Sequence, residues 1–336
     1  MARSLSNLTQ QVLFTAVISA SIMVAAPAGQ VLTFGNFIHN VASLEKSAAF
    51  YQDALGLELT GPLPISQRVF ALNAPVANLY GTPGSPMRGF TVRLPDSPGG
   101  LEFNQFKDTE QKIVTPRVQD PGATVVVLQV KNLPAALAKL RETGAPVVTA
   151  GGGPAGKAVV LKDPDGFYVE LVEPENAAES KAPGIVIGAS MMITVNDMDQ
   201  TVHLYRDLIG LPLKVDAVFA KDKALSKTLG VNGARYRHAI GNIPGTTFQV
   251  DFVEFRGVDR KLGQTRPFDL GSANLRVRVA DEELFVKNLK EAGVAVASVG
   301  GEPITLNNNV KTCILHDTNN FFFQIMSAAP PAPLPK

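Results

Sequence analysis

"AAFYQDALGLEL" at residues 48–59 returns as "VHLYRDLIGLPL" at 202–213, with the tyrosine, aspartate, glycine and flanking leucines in step across 154 positions. Leu44, Ala48, Tyr51 and Leu55 recur at the spacing of one helical face, and Met198, Val202, Tyr205 and Ile209 repeat the pattern. Ser43 and Asp197 are suited to cap the two helices, while Gly56 and Gly210 can adopt the left-handed turn that ends them. Leu57 and Leu59, like Leu211 and Leu213, then alternate as in a strand. Each block reads as helix, stop, strand.

The register extends further. Asp163-Pro164-Asp165-Gly166 is a β-turn, with proline fixing φ at its second position, and 154 residues on stands Asp317-Thr318-Asn319-Asn320. Asp120-Pro121-Gly122 and Asp269-Leu270-Gly271 correspond at 149. A weaker likeness runs inside each half: "QVKNLPAALAKLRETG" (129–144) is a shorter cousin of "NVASLEKSAAFYQDALG" (40–56), and "RVADEELFVKNLKEAG" (278–293) answers it. Four strand–helix–strands units in two pairs follow. Residues 31–175 and 185–327 are expected to form two domains, divided in the polar segment 174–184.

The chain has 336 residues, and its 31 basic and 30 acidic side chains leave a formal charge of +1, which gives no electrostatic case for nucleic acid or an anionic membrane. A small molecule is the expected partner. Residues 1–28 combine Arg3, the apolar run Val12 to Val24 and the small-residue site Ala26-Pro27-Ala28, the layout of a secretory signal peptide, so export to the periplasm or medium is expected, with no membrane attachment after cleavage. The single Cys313 permits no internal disulfide. The tail 328–336 (AAPPAPLPK) is proline-rich and expected to be disordered. "GGGPAG" at 151–156 lacks the lysine of a phosphate loop and reads as a hairpin connection, and "GTPGSPMRG" at 81–89 reads as a flexible loop whose Arg88, with Arg93, could meet an anion.

"NVASLEKSAAFYQDALGLEL", "DPDGFYVELVEP" and their echoes resemble the vicinal oxygen chelate superfamily, which includes glyoxalase I, bleomycin- and fosfomycin-resistance proteins and extradiol dioxygenases. The resemblance covers nearly all of residues 31–327. It implies an α+β fold of four βαβββ modules paired into two domains, whose curled mixed sheets surround a cavity. It also implies metal positions on the first and last strands of paired modules. In the first half these are Asn36 and Val125, then Glu102 and Glu170; in the second, Ser190 and Asn274, then Asp251 and Gln324.

On this reading Glu102 and Glu170 face a common hollow and, with Asn36, could hold a hard divalent cation, Mg²⁺ or Mn²⁺ in preference to Zn²⁺ or Fe²⁺. The same two carboxylates would then serve a glyoxalase-like lyase or isomerase as metal ligands and proton shuttle. An extradiol dioxygenase fits less well without its two histidines. The alternative is a metal-free protein that sequesters a small molecule, as resistance members do, with the two glutamates as hydrogen-bonded remnants. Fusion of the pairs suits a monomeric pseudo-dimer or a homodimer. His39 stands an odd step from Asn36, so in a regular strand it points to the outer face beneath a helix. His203 reads as half exposed, His238 as a cavity or surface residue, and His316 as making a local hydrogen bond.

Overall fold

The computed structural model describes residues 30–152 and 157–328. The leader 1–28, the tail beyond Ala328 and residues 153–156 of the glycine-rich connection lie outside the described residues.

Four units succeed one another. The first contains β1 (Val31–Asn40), α1 (Leu44–Ala48), α2 (Ala74–Tyr80), β2 (Met87–Arg93) and β3 (Gly100–Phe106). The second contains β4 (Thr124–Val130), α3 (Leu133–Arg141), β5 (Val147–Gly152), β6 (Ala158–Lys162) and β7 (Tyr168–Val172). The third contains β8 (Val186–Val195), α4 (Met198–Val202), β9 (Lys214–Val215), α5 (Lys223–Leu229), β10 (Arg235–Asn242) and β11 (Gln249–Arg256). The fourth contains β12 (Ala273–Val279), α6 (Glu282–Glu291), β13 (Ala295–Val296), β14 (Ile304–Thr305), β15 (Lys311–His316) and β16 (Phe322–Ser327).

The repeated block folds as its residues dictate. Ser43 accepts from the Lys46 amide and Asp197 from the Gln200 amide, each satisfying a first-turn donor. Both helices continue into π-helical turns, Ala49–Ala54 and His203–Leu208, and stop at Gly56 (φ 71°) and Gly210 (φ 85°). The strands expected after these stops are vestigial: Leu59 makes one bridge to Val92, and only Lys214–Val215 pairs beyond Gly210. Nor is 81–89 wholly a loop, because Met87 already opens β2.

Strands form two eight-stranded mixed sheets, and here chain order misleads. β1 takes β12 as its antiparallel neighbour, and β4 takes β8. One sheet therefore joins the first unit to the fourth, and the other joins the second to the third. The first and second units meet through their helices instead, as α3 packs on the Ala49–Ala54 turn.

The crossover segments 107–123 and 257–272 carry the chain between sheets and lock onto one another. The Lys112 amide donates to Asp269 Oδ1 at 2.9 Å and the Lys261 amide to Asp120 Oδ1 at 2.8 Å, a reciprocal pair related by the 149-residue offset. Arg117 and Arg266 neutralise these two aspartates at 2.7 and 2.6 Å. Such fully bonded buried carboxylates fix the crossing point and hence which sheets the strands enter.

The main core joins both sheets to the helices: Phe34, Phe37 and Phe103 from one sheet, Val126, Leu128 and Phe252 from the other, and Leu44, Tyr51, Tyr205 and Phe285 from the helical layer. Strand alternation sends the remaining side chains to the opposite faces, where two smaller clusters include residues of α5 and of α2.

Candidate functional site

Each sheet thus has its own inner face, or hollow, and the two glutamates fall on different ones. Glu102 on β3 belongs to the sheet of units one and four, and Glu170 on β7 to that of units two and three. This corrects the expectation of a cation shared by Glu102, Glu170 and Asn36: when β1 pairs with β12 instead of β4, the positions brought together are Asn36, Glu102, Asn274 and Gln324 in one hollow, and Val125, Glu170, Ser190 and Asp251 in the other.

In the first hollow Arg276 of β12 reaches across β1 and grips Glu102 with both arms, at 2.7 and 3.0 Å. Asn36 Nδ2 donates to Glu102 Oε2 at 2.6 Å, and its Oδ1 accepts the Gly100 amide at 2.9 Å. Asn104 donates to the Tyr80 hydroxyl at 3.0 Å and, more weakly, to Glu102 Oε1 at 3.4 Å. Burial disfavours a charged Glu102, yet Arg276 and the two amides outweigh it and hold the carboxyl below its usual range. Tyr80 is pushed to about 12 by burial and the Glu102 charge. Asn274, Gln324 and Tyr80 are buried beside this network, with Phe106, Ile314 and Phe322 filling the remainder.

A divalent ion does not fit this donor set. Both carboxylate oxygens already accept from cationic or amide groups, and Asn36 turns its NH₂ toward them with its own oxygen committed to Gly100. Arg276 was not singled out from the sequence. Its signal is visible in "NLRVRV", where an arginine alternates into the face that carries valine in the sister strand "VVVLQV".

The side chains around Glu170 are mostly apolar: Val125, Val160, Tyr168, Met192, Tyr236 and Val253 pack as one buried cluster, with Val127 partly exposed at its edge. Polar groups are few there. Glu170 has no hydrogen-bond or ion-pair partner among the described residues, and burial alone raises its carboxyl to about 7. His238 faces inward from β10, with Nδ1 at 3.0 and 3.1 Å from the two Asp251 oxygens. Burial works against its imidazolium, but Asp251, Asp216 and Asp222 more than compensate and raise its pKa. Ser190 is partly exposed on β8. Here too the donors do not make a cation site: Val125 offers none, Asp251 is held by His238, and Glu170 stands apart. Among the described residues no group of three or more His, Cys, Asp or Glu side chains could hold a metal ion.

The other candidates resolve readily. His39 lies on the outer face as the odd step requires, fully buried and stacked on Phe167 at 3.6 Å. A register shift in β1 between Phe34 and Phe37 ends before it and does not turn it inward. His203 is exposed beside Asp207, and His316 Nε2 lies 3.1 Å from Asn320 Oδ1. Arg88 is committed to Glu45 and Gln105, both at 2.9 Å, and Arg93 sits beside Glu58 on the surface. A cleft of about 340 Å³ at the linker crossing is lined by Lys112, Lys261 and Tyr168 and by none of the carboxylates proposed from sequence.

Residues 33–171 match the family described as the Glyoxalase/Bleomycin resistance protein/Dioxygenase superfamily. Two solved structures share the fold at full length. A putative dioxygenase from Bacillus subtilis subsp. subtilis str. 168 is 15% identical, covering 91% of this chain and 87% of its own, with a TM-score of 0.57. Glyoxalase I from Zea mays is 13% identical, covering 88% of this chain and 92% of its own, with a TM-score of 0.56. No curated protein matches the chain. At these identities the likeness is one of fold, shared with glyoxalase- and dioxygenase-type structures.

Proposed function

We propose that the protein is an exported small-molecule-binding member of its superfamily, and that the ligand enters the hollow formed by the second and third units. The observation that carries this reading is Glu170: a largely buried carboxyl with no partner among the described residues, beside valine, methionine and tyrosine side chains. The carboxylate of the other hollow, Glu102, is spent on Arg276. An apolar lining with a few convergent polar groups suits a ligand with an apolar body and a polar head, oriented by Glu170 at one side and His238–Asp251 at the other. Export rests on the leader-like residues 1–28.

A second reading is favoured by the position of Glu170 near pH 7. A carboxyl poised there can take or give a proton at neutral pH, which suits lyase or isomerase chemistry at a carbon acid with Glu170 as the shuttle. No step of it runs through Glu102.

Fluorescence titration with the neutral apolar probe N-phenyl-1-naphthylamine tests the binding reading. Wild type should saturate at one site, and Glu170→Lys, which sets a charge in the hollow, should weaken binding at least tenfold. Equal binding by the variant would remove the site from this hollow.

A further inference from the structure

We propose that Arg276 is an internal replacement for a metal ion: its guanidinium supplies the positive charge around which Asn36, Glu102, Asn274 and Gln324 are gathered, making this hollow a permanently closed structural centre that ties the first unit to the fourth.

The geometry is that of a cation site with the cation supplied by the chain. Glu102 and Arg276 are 174 residues apart and meet through two parallel bonds, the strong fork-to-carboxylate arrangement. Their side chains are only 18% and 14% exposed, so each would carry a large desolvation penalty if left alone. The backbone is shaped for the arginine: a Cβ at Gly35 would come within 2.9 Å of Arg276 Cγ and 3.1 Å of its Cδ, so glycine leaves the channel through which the stem crosses β1. Asn274 is buried beside Tyr80, and Gln324 donates its Nε2 to Thr312 Oγ1 at 3.0 Å while its buried Oε1 has no partner among the described residues. They are donors and acceptors collected around a centre whose charge is already met. In the other sheet the position matching Arg276, at the 149-residue offset, is Val127, and among the described residues no arginine reaches Asp251.

The test is a double-mutant cycle with a cation arm. Arg276→Met, Glu102→Gln and the double variant are compared with wild type by thermal unfolding, with and without millimolar Mn²⁺. Each single variant should melt on the order of 10 °C lower, because it strands one buried charge, and the double variant should recover most of the loss. Mn²⁺ should raise the melting temperature of Arg276→Met, and its EPR signal should report one bound ion. Wild type and the double variant should not respond. Should Arg276→Met fail to fold alone, the strong non-additivity of Glu102→Gln and the double variant, with refolding of Arg276→Met only in Mn²⁺, carries the same content. The proposal is overturned if the single losses simply add, or if Mn²⁺ stabilises wild type as much as Arg276→Met.

Discussion

Tyr51 donates its hydroxyl to Asp163 Oδ2 at 3.0 Å, joining the helix of the first unit to the turn of the second. The same bond recurs 154 residues on, from Tyr205 to Asp317 at 2.9 Å, and the Ala42–Asp165 and Asn196–Asn319 bonds repeat likewise, both at 2.7 Å. Both tyrosines are fully buried. Tyr51→Phe and Tyr205→Phe should each cost about 1–3 kcal/mol in urea unfolding, and by similar amounts, because each leaves a buried carboxyl short of a donor. Losses that differ by more than that range would show the two halves to be energetically unlike.

Glu170 should make stability depend on pH. Its carboxyl is raised from 4.5 to about 7, so the folded state holds the proton more tightly than the unfolded state. The stabilisation is complete below pH 4.5 and is lost as pH rises through 7, up to a ceiling on the order of 3 kcal/mol. Asp163, raised to about 7 mainly by burial, contributes with the same sign. The difference between wild type and Glu170→Gln isolates Glu170: the variant should gain on wild type between pH 5 and 8. A constant difference across that range would contradict a desolvated, unpartnered carboxyl.

His39 works in the opposite direction. Burial lowers its pKa to about 3, and neither ring nitrogen has a hydrogen-bond partner among the described residues, so it is held neutral. Its contribution is present above pH 6.5 and is lost as pH falls through 3. His39→Phe keeps the stack on Phe167 while removing the ionisable nitrogens. The midpoint of acid unfolding, followed by circular dichroism, should move to lower pH; an unchanged midpoint would mean that His39 is hydrated or paired.

The helix caps and stop glycines were legible because they depend on residues close in sequence: Ser43 and Asp197 cap, Gly56 and Gly210 terminate. The outer position of His39 followed from strand parity alone. Partner choice between strands did not follow. β1, β4, β8 and β12 are all apolar first strands of similar units, and any two could lie side by side. What decides is the reciprocal lock between Lys112–Asp269 and Lys261–Asp120, made by linkers with no regular period. From that one undetermined pairing came the misplaced union of Glu102 with Glu170, and the silence about Arg276. His238 was visible as a candidate, but its bond to Asp251 required knowing that β10 and β11 are neighbours.

Val127 stands opposite Glu170 across the β4–β7 pair and opposite Ser190 across β4–β8, at the place matching Arg276. Val127→Arg should therefore carry the closed character of one hollow into the other, its guanidinium reaching for Asp251 or Glu170. Titration of this variant with N-phenyl-1-naphthylamine, alongside its melting curve, tests most directly whether ligand binding resides between units two and three. The account predicts a folded protein with at least tenfold weaker binding. A folded Val127→Arg protein that binds the probe as wild type does would contradict it.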